Sequence, residues 1–455
     1  MDYSGKRVSI IGLGRSGYCA AKMLMDLGAF VFVSDSGYSP ELEAKADELR
    51  NAGASVELGA HTDTVYRIAD EIVVSPGVPA NLGILREAER ARPYLSIIPE
   101  IELGFRVTKG KIVGITGSNG KSTTVSLLGE IFKAAGRDYN VVGNIGRPLC
   151  DVALSATPDT IHCVELSSFQ LEKILDFRPH VACILNLSAD HLDRHETEMK
   201  YFEAKERIFA NQTAADYSVL SMDDPKVAML ASKVYGRVIL FGNNDLGVTG
   251  CFVRNGKLTM KDLSGNIIEL VDSKELGIPG PHNVSNACAA VACALPFEVS
   301  PEACRTALHG FTGLEHRMEK VGESRGVLFV NDSKATNIDS LVVALKSYSD
   351  NIILIAGGYD KGADFSEVRE LVAERVKAAV LIGVTADKIE AAWAGATKTI
   401  RASSLEEAVN IAALNAGKGD VVLLSPGCAS YDMFKNFEDR GRQFVQIVQR
   451  LISVK

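Results

Sequence analysis

The chain of 455 residues is too long for one hydrophobic core, so about three domains are expected. Its composition, 46% hydrophobic and 23% charged, is typical of a soluble globular protein, and no apolar run reaches the roughly 20 residues that span a bilayer. The net charge of −8 argues against a nucleic-acid partner, because phosphate backbones require a basic surface. Nine cysteines without a CxxC pair, and no signal-peptide pattern, favour reduced thiols and a cytoplasmic location.

The first predicted domain, residues 1–99, alternates strands with helices. The strand "RVSIIG" precedes a helical stretch from about Ser16 to Leu27 that Gly28 closes, and the strands "FVFVSD" and "EIVVSPG" follow. This alternation predicts half of a doubly wound α/β unit.

A GxGxxG motif lies at the first turn of this domain. Gly12, Gly14 and Gly17 stand between strand and helix, and Asp35 ends the next strand. The context predicts a pyrophosphate bound at the helix N-terminus. The structural alternative is that the glycines only allow close packing, and the functional alternative is a nicotinamide-binding protein.

A second βα series begins at Lys111 with a glycine-rich loop. "GITGSNGKST" joins an apolar strand to a helix, and its backbone N–H groups predict a cradle for phosphate oxygens. The loop departs from the strict Walker spacing, since Ile115 stands where that pattern places a glycine. In such a loop Lys121 reaches the β- and γ-phosphates, and Ser122 or Thr123 ligates Mg²⁺. The sequence therefore predicts ATP use without specifying the reaction.

The remaining strands extend this series and add a third. "HCVELSS", "VACILNLS" and "YSVLS" are typical of buried parallel strands, and Asn255-Gly256 predicts a hairpin. After "GFTGLEHRME" the strands "GVLFVND", "NIILIAGG", "AVLIGV" and "VVLLSPG" predict another α/β domain. We place the boundaries near residues 99 and 313.

Polar groups follow several of the central strands. Glu165 ends "HCVE", and "NLSADHLDRH" (186–195) follows "ACIL", so carboxylates and imidazoles could bind a divalent ion at that sheet edge. His191 and His195 have a spacing that suggests zinc, but the glutamate of HExxH is missing. By its local pattern, "KYFEAKERIF", Lys205 is an exposed lysine on a charged helix face.

Three further polar segments follow strands of the third domain. They are "VNDSKATN" (330–337), "GGYDKGADF" (357–365) and "LSPGCASYDMFKNFEDRG" (424–441). Each has the composition of a structural turn, but all three fall at strand carboxyl ends, where α/β proteins form their sites.

Taken together, these segments resemble the Mur ligases over essentially the whole chain. The motifs "GITGSNGKST", "GNIG", "ELSSFQLE", "DHLDRH", "GPHNVSNA", "NDSKATN" and "SPGCASYDMFKNFEDRG" occur in that order. The resemblance implies an α/β protein of three domains: a Rossmann-like N-terminal domain (1–99) for a UDP-sugar substrate, a central P-loop ATPase-like domain (100–313), and a Rossmann-like C-terminal domain (314–455) for the incoming amino acid. It also implies a short phosphate loop, for which the strict Walker pattern is the wrong template.

The resemblance implies roles for individual residues, which form five sets. The ATP set comprises Gly117, Ser118, Asn119, Gly120, Lys121, Ser122, Thr123, Asn283, Asn286, Arg317, Asp332 and Lys334. The UDP-substrate set comprises Gly14, Arg15, Ser16, Asp35, Ser36, Gly77 and Asn144. The D-glutamate set comprises Thr336, Lys361, Ser430 and Phe437. The Mg²⁺ set comprises Ser122, Glu165, His191 and a carbamylated Lys205, and the catalytic set comprises Lys121, His191 and Lys205. Gly37 stands where some relatives have an arginine near the uracil.

The activity implied is ATP-dependent addition of D-glutamate to UDP-N-acetylmuramoyl-L-alanine through an acyl phosphate, in peptidoglycan precursor synthesis, by a monomer that binds neither nucleic acid nor membrane. A sibling amide ligase using another amino acid or a folate substrate is the closest alternative. A kinase or another P-loop NTPase would share the central loop but has no need for the C-terminal motif.

Overall fold

The computed structural model describes residues 2–79, 81–188, 195, 197–278, 280–349, 351–360 and 363–453. Contacts divide the chain into two compact units, Met1–Phe311 and Thr312–Lys455. Three separate sheets are present, two in the first unit and one in the second. The expectation of three α/β domains is confirmed.

The N-terminal domain is a parallel sheet covered by helices on both faces. Its elements are β1 (Arg7–Ile11), α1 (Arg15–Asp26), β2 (Phe30–Asp35), α2 (Pro40–Asn51), β3 (Ser55–Leu58), α3 (Thr64–Arg67), β4 (Glu71–Val74), α4 (Gly83–Ala91) and β5 (Ser96–Pro99). The strand order is β3-β2-β1-β4-β5. Helices α1 and α2 pack on one face with Val31 and Val33, and α3 and α4 pack on the other with Ile72. The order reverses beside β1, so the carboxyl ends of β1 and β2 form the expected ligand-binding edge.

Helix α5 (Glu100–Val107) leads from the first sheet to the second and carries a buried ionic cluster. The Arg106 guanidinium donates to Glu71 Oε1 (2.8 Å) and Glu102 Oε1 (3.0 Å), and the Tyr3 hydroxyl donates to Glu71 Oε2 (3.1 Å). The Glu102 carboxylate also accepts the backbone N–H groups of residues 175, 176 and 177, at 2.9, 3.0 and 2.9 Å. These bonds fasten the N-terminal sheet to the central domain.

The central domain is built on a nine-stranded mixed sheet. Its strands are β6 (Lys111–Thr116), β7 (Tyr139–Gly143), β8 (Ile161–Glu165), β9 (Val181–Ile184), β10 (Tyr217–Ser221), β11 (Arg237–Gly242), β12 (Gly250–Arg254), β13 (Lys257–Lys261) and β14 (Ile267–Asp272). Its helices are α6 (Lys121–Ala134), α7 (Ser168–Leu171), α8 (Glu198–Glu206), α9 (Pro225–Ala228), α10 (Pro281–Ala294) and α11 (Pro301–Gly310).

The central strands follow the order β14-β13-β12-β11-β10-β9-β6-β8-β7. All neighbours from β7 to β12 are parallel, while β12–β13 and β13–β14 are antiparallel. The predicted hairpin is confirmed, because Asn255 and Gly256 both have positive φ (51° and 78°) between β12 and β13.

The C-terminal domain has a six-stranded sheet in which β15 alone is antiparallel to its neighbour. Its strands are β15 (Glu319–Ser324), β16 (Val327–Asn331), β17 (Ile352–Gly357), β18 (Val376–Ile382), β19 (Lys398–Arg401) and β20 (Val421–Leu424). Its helices are α12 (Ile338–Lys346), α13 (Arg369–Arg375), α14 (Ala386–Ala392), α15 (Leu405–Asn415) and α16 (Phe437–Ser453). The order is β15-β16-β20-β17-β18-β19, and it brings the three polar segments of the sequence to neighbouring strand ends.

Candidate functional site

The central glycine-rich loop runs from the end of β6 to the start of α6. Gly117 and Gly120 have φ of +150° and +85°, a region that L side chains rarely adopt. A Cβ on Gly120 would also lie 2.2 Å from Asn286 Oδ1. The loop therefore requires glycine at both positions, and Gly120 is the residue immediately before α6, so the loop ends at a helix N-terminus, where anions bind favourably.

The first residues after β9 form the wall beside this loop. The Ser118 N–H donates to Asn186 O (3.0 Å) and the Asn119 N–H donates to Asn186 Oδ1 (2.8 Å). The Ser118 hydroxyl donates to Ser188 O (2.9 Å). Asn186 and Ser188 were not among the predicted site residues, although the polar run after "ACIL" pointed to this strand end.

Two lysines converge on one carbonyl of the loop. Lys121 Nζ donates to Gly117 O and Ser118 O (both 2.8 Å), and Lys205 Nζ donates to Gly117 O (2.9 Å). Lys205 is only 1% exposed, and its ammonium lies 4.6 Å from the centroid of the Tyr201 ring. The expectation of an exposed lysine, drawn from the charged helix pattern, is wrong, because α8 turns this residue onto the phosphate loop.

Glu165 and Asn144 meet at the ends of β8 and β7. Asn144 Nδ2 donates to Glu165 Oε1 and the Asn144 N–H donates to Glu165 O, at 2.8 and 2.9 Å. Glu165 is 2% exposed, and its Oε2 has no hydrogen-bond partner in the part of the chain that is described. A buried carboxylate oxygen left over in this way suits a divalent cation.

Of the other predicted metal ligands, Ser122 lies within the described residues and His191 does not. Ser122 is buried in the first turn of α6, and His191 lies outside the described residues. Within the described ranges no group of three His, Cys, Asp or Glu side chains forms a metal-binding cluster. His195 instead bonds the Ser168 hydroxyl through Nε2 at 2.9 Å.

The two predicted asparagines of α10 flank the loop. Asn286 Nδ2 donates to Asn283 Oδ1 (3.2 Å), and the Thr124 hydroxyl donates to Asn286 Oδ1 (3.4 Å). Asn286 also limits the room beside Gly120, as noted above. The structure therefore brings this part of the predicted ATP set to the same side of the loop.

The glycines of the N-terminal GxGxxG turn have different surroundings: two are closely packed, and one has free space beside it. A Cβ on Gly17 would lie 1.8 Å from Gly12 O, so close packing explains this pair. Around Gly14 the described residues leave space within 4 Å of such a Cβ, and Gly14 is the residue before α1. The structural alternative thus accounts for Gly12 and Gly17, while Gly14 leaves the helix N-terminus accessible.

The carboxylate of Asp35 is fixed at the end of β2. Its oxygens accept the N–H of Leu13 (2.6 Å) and the N–H of Gly37 (2.7 Å). Four further residues of the UDP set are exposed: Arg15, Ser36 and Gly77 in the N-terminal domain, and Asn144 after β7. Ser16 is half-buried in α1, and the Arg15 guanidinium donates to Gly146 O.

In the C-terminal domain, Asp332 follows β16 and is buried. The Ser425 hydroxyl donates to its Oδ2 (2.9 Å) and the Met318 N–H to its Oδ1 (3.2 Å). Burial disfavours the charged carboxylate and raises the pKa of Asp332 to about 7, although both hydrogen bonds act in the opposite direction.

A buried arginine that the sequence did not reveal joins two of the predicted segments. Arg440 in α16 is 0% exposed and donates to Ser333 Oγ (2.9 Å), Ser333 O (2.8 Å) and Cys428 O (3.1 Å). Burial lowers the pKa of Arg440 to about 10, which still leaves it charged at neutral pH. The guanidinium thus ties the turn after β16 to the turn after β20.

The other predicted C-terminal residues are placed individually. Ser430 is buried and its carbonyl accepts the Phe434 N–H (2.9 Å), while Lys334 Nζ lies 5.9 Å from the centroid of the Phe437 ring. Arg317 pairs with Leu314 in an isolated antiparallel β-bridge. Thr336 is half-buried before α12, and Lys361 lies outside the described residues.

In the described ranges no helix has the length and hydropathy to cross a bilayer. All nine cysteines are described as free thiols.

Family models match three successive segments of the chain. They are the Mur ligase MurD-like N-terminal domain at residues 6–93, the Mur ligase middle domain at 115–294, and the Mur ligase glutamate ligase domain at 316–428.

Two curated relatives match almost the full chain. The UDP-N-acetylmuramoylalanine–D-glutamate ligase of Koribacter versatilis is 43% identical over 451 residues, 99% of both chains. The relative of the same name from Clostridioides difficile is 42% identical over 455 residues, 99% of this chain and 100% of its own.

Among solved structures, the UDP-N-acetylmuramate-alanine ligase MurC of Thermotoga maritima aligns with a TM-score of 0.60 at 17% identity, over 98% of this chain and 100% of its own. A pseudomurein peptide ligase type C from Methanothermus fervidus aligns with a TM-score of 0.57 at 21% identity, with the same coverage. At these identities the likeness concerns the fold alone.

Proposed function

The chain belongs to the Mur ligase family, and from that premise we propose that it adds D-glutamate to UDP-N-acetylmuramoyl-L-alanine at the expense of ATP, in peptidoglycan precursor synthesis. The observation that carries the proposal is the convergence of Lys121 and Lys205 on Gly117 O. Lys121 thereby places a positive charge, and a carbamylated Lys205 would place an anionic ligand for Mg²⁺, beside the loop where a transferred phosphoryl group gains negative charge. The names of the full-length relatives supply the identity of the substrates.

The reaction joins a carboxylate to an amine. A carboxylate is a poor electrophile, so one of its oxygens first attacks the γ-phosphorus of ATP, and the bond to the departing ADP breaks. The amine of D-glutamate then attacks the acyl-phosphate carbonyl, inorganic phosphate leaves, and the nitrogen loses a proton. Both steps build negative charge on oxygen, and stabilisation of that charge is the main task of the protein.

Lys121 and the N–H groups at the N-terminus of α6 bind the phosphates of ATP in this proposal. Lys121 has a short path to them, because its ammonium already lies on the rim of the loop, at Gly117 O and Ser118 O. Asn144, at the adjoining strand end, contacts the UDP-muramoyl substrate, and Glu165 beside it is the metal ligand. The contact between their side chains keeps both groups oriented.

Glu165 Oε2, buried and without a partner among the described residues, suits Mg²⁺, which would be held by Glu165 together with Ser122, His191 and a carbamylated Lys205. Bound there, the ion supplies a Lewis acid and neutralises phosphate charge. Lys205 serves as a carbamate, whose N–H retains a donor for Gly117 O and whose oxygens are anionic. Its burial beside the loop supports this role, which a solvated position on α8 would not.

The other sites follow the same assignment. We place the UDP portion on Gly14, Arg15, Ser16, Asp35, Ser36 and Gly77. We place the nucleotide also on Asn283, Asn286, Arg317, Asp332 and Lys334, and D-glutamate on Thr336, Lys361, Ser430 and Phe437. We further propose a monomer that acts in the cytoplasm, with domain boundaries near residues 99 and 313.

Phosphate release from ATP, with UDP-N-acetylmuramoyl-L-alanine and one amino acid at a time, tests the proposal. We expect release to require D-glutamate and Mg²⁺. Equal rates with L-glutamate, L-alanine or meso-diaminopimelate would contradict the assignment of the amino acid. No release with any of them would contradict the ligase assignment itself.

A further inference from the structure

A buried tyrosine that belongs to none of the assigned sets lies against the phosphate loop. Tyr201 is part of α8 and is 1% exposed, and its hydroxyl oxygen lies 3.2 Å from Ser118 Oγ. Its ring centroid lies 4.6 Å from the Lys205 ammonium and 5.3 Å from the His195 ring centroid. Tyr201 therefore contacts the loop through its hydroxyl and the neighbouring side chains through its ring.

The direction of the hydroxyl bond follows from the other partners of Ser118. The Ser118 hydroxyl donates its proton to Ser188 O (2.9 Å), and its oxygen accepts the Ser188 N–H (3.0 Å). A serine hydroxyl has one proton and two acceptor sites, so the remaining acceptor site receives the O–H of Tyr201. This bond completes the hydrogen-bonding capacity of the Ser118 side chain.

The backbone of Ser118 connects this side chain to the shape of the loop. Its N–H donates to Asn186 O (3.0 Å), and its carbonyl accepts from Lys121 Nζ (2.8 Å). The loop bends at Gly117 and Gly120, and glycine leaves the backbone several conformations to choose from. The bonds made by Ser118 between these two glycines therefore select one shape of the loop.

The ring and the hydroxyl of Tyr201 have separate tasks. Tyr201 and Lys205 are four positions apart, so they share one face of α8, where the ring lies beside the ammonium. A phenylalanine would keep this contact, because it has the same ring. Only the hydroxyl reaches Ser118, so its removal perturbs the loop without displacing Lys205.

We infer that Tyr201 is a positioning residue for ATP: its hydroxyl holds Ser118, and through Ser118 it holds the phosphate loop in the shape that binds the nucleotide. The inference rests on the proposed function, which brings ATP to this loop. A loop that adopts the binding shape for only part of the time binds with an affinity reduced by that fraction. Tyr201 thus sets the affinity for ATP and leaves the chemical step to the residues that touch the phosphates.

Tyrosine-to-phenylalanine substitutions at two buried positions separate positioning from stability. Tyr201→Phe removes the hydroxyl at the loop and keeps the ring. Tyr3 is also 1% exposed, and its hydroxyl donates to Glu71 Oε2 (3.1 Å) in the ionic cluster at α5. Tyr3→Phe is the matched control, because it removes a buried bond of similar length outside the phosphate loop. Calorimetric titration of the full chain with ATP and Mg²⁺ gives the affinities, and urea unfolding gives the stabilities.

We expect Tyr201→Phe to weaken ATP binding about fivefold, as for one hydrogen bond lost. In the ligase assay its KM for ATP should rise by the same factor, while kcat and the KM for the UDP substrate stay unchanged. Tyr3→Phe should lower the free energy of unfolding at least as much, yet bind ATP as the wild type does. Equal ATP affinities of Tyr201→Phe and Tyr3→Phe would overturn the inference.

A double-mutant cycle tests whether Tyr201 acts through Ser118. Ser118→Ala removes the same bond from the other side, so the double variant should bind ATP no more weakly than Ser118→Ala alone. Additive losses of affinity would overturn the inference. A wild type that binds ATP but forms no amide would instead refute the proposed function and leave the affinity comparison intact, so the two failures are distinguishable.

Discussion

Replacing Arg440 by lysine keeps a positive charge in α16 but removes the planar fork of donors. The guanidinium donates from Nε to Ser333 Oγ and from Nη2 to Ser333 O and Cys428 O, all within 3.1 Å. An ammonium donates from one point and cannot span both turns. A longer fourth bond joins Nη1 to Ala429 O (3.4 Å). If two of the three shorter charge-assisted bonds are lost, at about 1.5 kcal/mol each, the free energy of unfolding falls by about 3 kcal/mol.

Urea unfolding at pH 7 measures this loss, and Arg450→Lys in the same helix is the matched control. Arg450 is 67% exposed and pairs with Glu406 at 3.4 Å, so its replacement should change the free energy of unfolding by less than about 0.5 kcal/mol. Because Arg440 positions the turns assigned to D-glutamate, Arg440→Lys should also raise the KM for D-glutamate. Unfolding curves of Arg440→Lys that match the wild type would refute the reasoning.

Four further outcomes are expected. Lys121→Ala should lower turnover by about 100-fold or more, because it removes a positive charge from the phosphate loop, and it should change stability little. Wild-type turnover in this variant would show that the loop is only structural. Asp35→Ala should weaken binding of the UDP substrate by about tenfold in calorimetry and leave ATP binding unchanged; tight binding of NAD or FAD by the wild type would contradict the assignment. Lys205→Ala should lower turnover by about tenfold to 100-fold with a smaller effect on ATP affinity, and unchanged turnover would exclude a metal-binding carbamate. Burial lowers the pKa of His162 from 6.5 to about 4, so its neutral ring stabilises the fold above pH 6.5 and that stabilisation, at most about 3 kcal/mol, is lost as the pH falls toward 4. His162→Gln should flatten the pH dependence of urea unfolding between pH 7 and 4, and an unchanged slope would contradict the shift.

Local patterns in the sequence were sufficient for the strands, the glycine-rich loop and the hairpin at Asn255. Each depends on residues that are neighbours in the chain, whose backbone preferences act directly. The local helix pattern wrongly predicted that Lys205 is exposed, and nothing in the sequence indicated that Arg440 is buried. Both errors arise because burial is decided by partners that are distant in the chain. Gly117 lies 88 positions from Lys205, and Ser333 lies 107 positions from Arg440. In both cases the charged neighbours in the helix resemble an ordinary solvated face, and only the fold shows which charge faces inward.

The buried cluster around Arg106 bears on whether the N-terminal Rossmann-like segment is an autonomous module. A fragment cut near residue 99 would keep Glu71 and Tyr3 but lose the guanidinium that neutralises them, leaving a carboxylate in an apolar surrounding. The central segment, cut at the same place, would keep Glu102 and Arg106 but would lose Glu71, the partner of Arg106 in the first sheet. A recombinant joined at this point would therefore have to take both sides of the cluster from the same parent to keep the ion pairs intact.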